Sequence, residues 1–377
     1  MGKEKTCISI CKPHTMLKIK LVCSYVEKWS RILLTGNTPC HNLVYIDAMS
    51  NCGLYTDEDG HTITGTAIRV AEILKRAAED HPEKRIFLFF NDLDRNKCSL
   101  LSEKLKARGI TESSNFTVKI SNNDKDKFLA TLKEWDLLQD RRSGTHSLLF
   151  YDPYDASINW DAIEPFINRW GEVIINHMIS DPIRGISQAK DKMSKYEITY
   201  EEPAEALKAV GADKEHYQNR IREIALSRRK YRSDEYRIAG FPFFIRNNLL
   251  IYEILHLSAH SRGFNEFKNC AWRVFNRTSS NKKTDYDPQQ AQLSFGLDFQ
   301  EIPDTDCYNL NNVVDYLLVE FKGEPCVPLN TLYQALEDHP VFPNNAYRKE
   351  IKKLLKEKGV MRVPHMTKEH LDFTHYD

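Results

Sequence analysis

Tyr45-Ile46-Asp47-Ala48-Met49-Ser50-Asn51-Cys52-Gly53-Leu54-Tyr55 is the stretch on which the rest of the chain turns. An apolar strand that ends in an acidic residue and runs into a turn of small residues is how a doubly wound α/β fold begins. In such folds a nucleotide-like ligand sits in the crevice outside the carboxyl ends of the strands. The Asp47 carboxylate can take a polar end of that ligand, and Gly53 lets backbone approach it closely. Asn51 stands where a first glycine is expected; asparagine is among the few other residues that tolerate a positive φ, so the turn can survive the exchange.

Upstream, residues His14 to Leu33 place Leu17, Leu21, Val22, Tyr25, Trp29, Ile32 and Leu33 at helical spacing. Downstream, short apolar runs alternate with amphipathic stretches. Leu43–Ile46, Ile86–Phe90, Phe116–Ile120, Leu148–Tyr151 and Val173–Ile175 read as strands; Thr66–Ala78, Arg95–Lys106, Lys125–Leu138 and Asp161–Trp170 read as helices. Continuous apolar strands separated by helices predict a parallel sheet covered on both faces. Phe241–Ile245 and Leu249–Leu257 are parted only by Arg246, Asn247 and Asn248, which is hairpin spacing, so an antiparallel pair should end the sheet.

The other strand ends carry their own chemistry. Asp92 or Asp94, after the second strand, offers paired acceptors to a ribose cis-diol. Asp124, after the third, either meets an adenine edge or caps the following helix. The fourth strand exits through Asp152-Pro153-Tyr154-Asp155. A carboxylate, a backbone carbonyl and an aromatic ring at this place can accept hydrogen bonds from an amine and stack on a base, as in the D-P-P-Y signature of amino-directed nucleic-acid methyltransferases, one proline short. The same three residues also occur as an ordinary strand exit, because proline pushes its predecessor into extended geometry.

The 377 residues suffice for about two to three domains of about 150 residues each. We divide them into a Rossmann-like domain over residues 1–277 with a charged helical insertion at about 187–237, a linker at 278–310 and a basic module at 311–377. Lysine plus arginine and aspartate plus glutamate both number 53, so any affinity for a polyanion must come from local clusters. Two exist. Arg228, Arg229, Lys230 and Arg232 crowd the end of the insertion, as a solvated helix face or as a lid or nucleic-acid clamp. The module's order of helix, short strand, helix, helix and turn at Gly359 is that of a winged helix, and its last helix and wing gather Arg348, Lys349, Lys352, Lys353, Lys356, Lys358 and Arg362 against Glu350 and Glu357. Polar residues from Thr278 to Gln292 look like a mobile loop.

Nine cysteines scattered through apolar runs point to reduced cytoplasm, and no apolar stretch reaches the roughly 20 residues a membrane span needs. Met1-Gly2 through Thr6 fits a loose myristoylation pattern. Cys7, Cys11 and His14 lack the fourth ligand and paired spacing of a metal centre, so no metal is expected.

Taken together, these features resemble the three-Cys-motif partner family, TcmP. The matching residues are His14-Thr15 with Lys18, the run from Asp47 to Gly53, Gly65, Asn91-Asp92, Asp152-Pro153-Tyr154, Asn176 with Arg184, and Ser258-Ala259-His260 with Gly263, collinear over roughly residues 13 to 300. The resemblance implies a methyltransferase-type sheet, S-adenosylmethionine as cofactor, and association with a radical-S-adenosylmethionine-like protein bearing three cysteines, often among mobile-element genes. The family's F-A-G is Met49-Ser50-Asn51 here, and a long loop, Leu54 to Thr64, precedes the next helix.

The leading expectation is methyl transfer from S-adenosylmethionine to an amino group of a nucleic acid, with Asp47, Asn51, Gly53, Asp92, Asp94 and Asp124 around the cofactor and Asp152, Pro153 and Tyr154 at the acceptor. A catalytically silent scaffold that docks the three-cysteine partner and nucleic acid is the alternative, favoured by the missing glycines. A metal nuclease built on Asp152 and Asp155 would need an ion that nothing else in the sequence predicts.

Overall fold

A computed structural model of the protein describes residues 8–35, 39–139, 144–186, 192–228, 236–245, 248–283 and 306–375. Its centre is a seven-stranded sheet: β1 (Asn42–Asp47), β2 (Arg85–Asn91), β3 (Phe116–Ser121), β4 (Thr145–Tyr151), β5 (Gly171–His177), β6 (Arg237–Ile245) and β7 (Leu249–Ser258). The strand order is β3-β2-β1-β4-β5-β7-β6. Strands β1 to β5 are parallel, and β7 runs antiparallel to β5. The expected α/β sheet, mostly parallel with a reversed pair at one edge, is the one observed. β1, β4 and β5 are buried along their whole length, which is why they read as continuous apolar runs rather than alternating ones.

Four helices accompany the first strands: α1 (Pro13–Thr35), α2 (Thr66–Asp80), α3 (Arg95–Ala107) and α4 (Lys125–Lys133). α1 buries Ile19, Val22, Tyr25, Val26 and Trp29 and is held to the sheet by a polar anchor. The Tyr25 hydroxyl and His256 Nε2, the latter at 2.7 Å, both meet the buried Glu172 carboxylate. A Cβ at Gly263 would lie 2.7 Å from Glu172 Oε1, so only glycine lets that helix approach the anchor.

Several expectations change in detail. The loop between Leu54 and Thr64 is a β-hairpin, Leu54–Thr56 with Thr62–Thr64, and Ser9–Ile10 adds to it in parallel. The helix expected over Asp161–Trp170 shrinks to Trp160–Ile163 and one 3-10 turn, because Pro165 has no N–H to continue it. The described part of the insertion packs into the core beside the sheet. Its helices Met193–Tyr200, Ala204–Val210 and Lys214–Ser227 bury Tyr196, Tyr200, Leu207, Tyr217, Ile221 and Ile224 in the same core as Val44, Ile46, Ile175 and Leu255 of the sheet.

The chain divides into two compact units, residues 1–240 with 251–267, and residues 241–250 with 268–377. The second contains helices Leu310–Glu320, Leu329–Asp338 and Arg348–Glu357, with a small antiparallel sheet of Val327–Pro328, His370–Asp372 and Met361–Arg362. Pro328, in extended geometry, stands at the N-cap of the middle helix. The polar stretch at 278 is not a mobile loop up to residue 283. Ser279 and Ser280 are buried, the Ser279 amide donates to the Tyr308 carbonyl at 2.9 Å, and Asn281 bonds both the amide and the carbonyl of Phe244. The rest of the expected linker, residues 284–305, lies outside the described residues.

Lys268 is fully buried in this unit, and its ammonium donates to the carbonyls of Leu336, Glu337 and His339 at 2.9, 3.0 and 2.7 Å. A cation there satisfies the orphan acceptors at the end of Leu329–Asp338 and complements the negative end of the helix dipole. Lys268→Met should therefore destabilise the unit by about 3 kcal/mol, since several buried carbonyls lose their donor at once, a loss read as a lower midpoint in urea unfolding.

Candidate active site at the sheet switch point

Strand order reverses between β1 and β4, and in open α/β sheets that switch point, outside the strand tips, is where a ligand is received. Asp47 ends β1, and Asp152 follows β4 directly. Asp47 is almost fully buried and accepts one hydrogen bond, from the Met49 amide at 3.2 Å. Burial first, then the Asp152 charge and further the Asp92 charge, push its carboxyl well above the usual carboxylate range; the Met49 bond and Lys18 act in the opposite sense. The charges of Asp152 and Asp92 thus both act on Asp47.

The turn after Asp47 keeps its shape without the expected first glycine. Asn51 adopts φ +56° and Gly53 φ +71°. Asn51 Oδ1 accepts from the Cys52 amide at 2.8 Å, and its side chain bonds the Tyr55 hydroxyl. A Cβ on Gly53 would come within 2.8 Å of Ile68 and 2.9 Å of Leu101, in addition to the strain of its φ. Asp92 ties this turn to the next strand tip: its carboxylate accepts from the Asn51 amide at 3.0 Å and the Asp94 amide at 2.9 Å.

On the β4 side, Lys18 of α1 reaches Asp152 with contacts of 2.8 Å to Oδ1 and 2.6 Å to Oδ2, both side chains largely buried. The Asn176 amide, at the end of β5, donates to Asp152 Oδ1 at 2.6 Å, and its own Oδ1 is buried without a partner. The Tyr45 hydroxyl of β1 is likewise buried without a partner. Tyr252 of β7 fixes the start of α1 by donating to the His14 carbonyl at 3.1 Å, and its ring lies 5.5 Å from Lys18 Nζ. Pro153 is buried, whereas Tyr154 is 68% exposed; the Tyr154 hydroxyl accepts from Lys97 of α3 at 3.3 Å, and Lys97 also lies 3.9 Å from Asp92.

Other sequence candidates have different places. Asp94 caps α3 through the Asn96 amide, and Asp124 caps α4 through the amides of Asp126 and Lys127, so both carboxylates serve helix starts. Arg228 is held by Asp161, Glu164 and Glu201 and is not available as a clamp; the ion pairs fix it to the insertion's own carboxylates. Arg229, Lys230 and Arg232 lie outside the described residues. In the second unit Arg348 stacks on Tyr333 at 3.9 Å and Lys352 pairs with Glu369 at 2.6 Å. Lys349, Lys353 and Lys356 are exposed along one stripe at i, i+4 and i+7, opposite the buried Ile351 and Leu355. Roles for Lys18, Asn176, Tyr55 and Lys97 escaped the sequence reading. A signal existed for Lys18: it is in phase with Val22, Tyr25 and Trp29 on the apolar stripe of α1, and a lysine there needs a buried partner.

No protein-family profile matches this sequence, and no curated protein matches it. Among solved structures, MNMC2 from Aquifex aeolicus is similar at 12% identity and a TM-score of 0.29, over 61% of this chain and 57% of that one, so this chain spans little more than half its length. The S-adenosylhomocysteine-bound Podospora anserina methyltransferase PaMTH1 matches at 8% identity and a TM-score of 0.29, over 63% and 87% of the two chains. A geranyl diphosphate methyltransferase in complex with S-adenosylmethionine matches at 9% and 0.26, over 62% and 85%. At such TM-scores these likenesses carry no functional weight.

Asp47 makes stability depend on pH. Its raised folded-state pKa means that its neutral form is favoured by folding, a contribution present in acid and lost as pH climbs through the raised value. Asp47→Asn removes that loss, so the melting temperature of the variant should overtake that of the wild type as pH rises, with a gap that widens toward alkaline pH.

Proposed function

We propose that the protein is an S-adenosylmethionine-dependent methyltransferase acting on an amino group of a nucleic acid. The observation that carries this reading is the gathering of Asp47, Asp92 and Asp152 at the switch point around a turn that keeps its left-handed residues. Lys18 pairs with Asp152 and Lys97 lies near Asp92, which leaves Asp47 without an ion pair among the described residues, a place where a cationic ligand can supply the missing counter-charge. The donor set fits the cofactor: Asp47 retains acceptor capacity for an ammonium, and Asp92 has a lone pair left on each oxygen for ribose hydroxyls. Bound there, S-adenosylmethionine supplies a methyl group on a cationic sulfur. Asp152 receives the acceptor's amine, and the exposed Tyr154 ring offers a stacking face for its base.

Asp94 and Asp124 each give one oxygen to a helix cap, and the proposal puts the cofactor's ribose on Asp92. A nuclease is disfavoured, since Asp152 and Asp155 each carry a lysine of their own, Lys18 and Lys195 at 2.9 Å. The scaffold reading keeps one specific support: the hairpin Leu54–Thr64 inserted where a tight turn into α2 is expected. Co-purification with a three-cysteine radical-S-adenosylmethionine-like protein, without methyl incorporation, would favour it.

Calorimetric titration with S-adenosylmethionine tests the enzyme reading. Binding is expected for the wild type, with loss for Asp47→Ala and retained affinity but lost turnover for Asp152→Ala; absence of heat from the wild type at millimolar ligand would sink it.

For the second unit we propose a winged helix that grips nucleic acid through Lys349, Lys353 and Lys356. This rests on the order of helix, strand, helix, helix and hairpin and on the exposed stripe. Changing all three to glutamine should weaken duplex binding regardless of sequence. The slope of log affinity against log salt should fall by roughly 2 to 3, at about 0.9 per phosphate contact. An unchanged slope would assign the stripe to another partner.

A further inference from the structure

Asp152 is not an open carboxylate. A carboxylate offers about four lone-pair positions. Oδ1 accepts from both Lys18 and Asn176, and Oδ2 accepts from Lys18, which leaves one position, on Oδ2. The Asn176 amide has no choice of orientation, since a carboxylate only accepts and the NH2 group must face it. Its Oδ1 is thereby left buried and unpaired, and a buried acceptor without a donor keeps the full penalty of leaving water. The tips of β4 and β5 therefore hold two unfilled acceptor positions, one on Asp152 Oδ2 and one on Asn176 Oδ1. That demand is met by a group with two N–H donors, whereas a hydroxyl brings one and a carboxylate none.

From this geometry we propose that Lys18 is a positioning residue that makes the Asp152–Asn176 pair a receptor for an acceptor NH2 group. Lys18 holds the carboxylate in place from α1, across 134 positions of sequence, and it is itself steadied by the apolar stripe of the helix and by Tyr252 beneath it. With Asn176 it fills Oδ1, and it takes one of the two positions on Oδ2, which leaves the other open. Arg184, the residue the resemblance pairs with Asn176, is turned to the Ser180 carbonyl and hydroxyl and takes no part. The assignment rests on the methyltransferase reading and adds to it the residue that selects amines.

The test compares wild type, Lys18→Met, Lys18→Arg and the double variant Lys18→Met with Asp152→Asn. Three readouts are taken: calorimetric affinity for S-adenosylmethionine, melting temperature, and incorporation of labelled methyl into two probes, unmodified plasmid DNA and total RNA from cells lacking the protein. The expected result is that Lys18→Met binds S-adenosylmethionine within about twofold of wild type while incorporation falls at least a hundredfold. Lys18→Arg should recover part of it, and the double variant should regain melting temperature but not incorporation. Loss of cofactor affinity in Lys18→Met would put Lys18 in the cofactor pocket and overturn the assignment while the methyltransferase reading stands. Equal incorporation by Lys18→Met, or recovery by the double variant, also overturns it, the latter by making the pair merely structural. Wild type that binds no cofactor brings down the underlying reading instead. Wild type that binds cofactor but methylates neither probe removes nucleic-acid amines as acceptors, and the assignment with them.

Discussion

Like charge in a confined place is the constraint around which the first unit is arranged. Asp47, Asp92 and Asp152 come together because a parallel sheet whose strand order reverses must bring the ends of β1 and β4 side by side. Three carboxylates there repel one another, and burial adds to the cost of ionising Asp47. The protein answers with backbone amides on Asp92, with Lys18 on Asp152, and with Lys97 near Asp92. For Asp47 it provides a single amide. A carboxylate left so poorly compensated is a place where a cationic ligand gains most, because the ligand supplies the missing counter-charge in a site screened from water.

The consequence reaches beyond the crevice. α1 is long and mostly apolar on its inner face, and packing alone would tolerate some sliding along the sheet. Polar contacts at two points along its length remove that freedom: Lys18 on Asp152 near one end, with Tyr252 on the His14 carbonyl, and Tyr25 on Glu172 farther along. A helix pinned twice by buried hydrogen bonds keeps one register, and the Asp152 carboxylate inherits that precision.

The fold was largely legible because its strands are buried on both faces and its helices are amphipathic, so apolar periodicity marked both. It failed where a local rule overrode the pattern: at Pro165, which cut a helix short, and at Leu54–Thr64, where alternating residues of moderate polarity formed a hairpin that looked like loop. Site residues were legible where chemistry sits at the strand tip itself, as with Asp47 and Asp152. Asp94 and Asp124 share that position but spend their oxygens on helix caps, and sequence cannot tell a cap from a ligand when both call for aspartate before a helix. Lys18 and Asn176 were hidden for a different reason: their meaning lies in a partner 134 and 24 residues away.

Charge in the second unit shows the same distinction between a residue type and its use. The basic helix Arg348–Glu357 reads in sequence as one cationic block, yet its positive charges divide by face. Arg348 covers the Tyr333 ring and Lys352 answers Glu369, so both stabilise the unit that carries them. Lys349 and Lys356 have no such duty among the described residues, and Lys353 has only an exposed pair with Glu357 at 3.6 Å, an interaction worth little in water. The helix thus keeps its structural cations on the flank and its exposed ones in one row, and a row of separated ammonium groups is what the proposed grip on a polyanion would use.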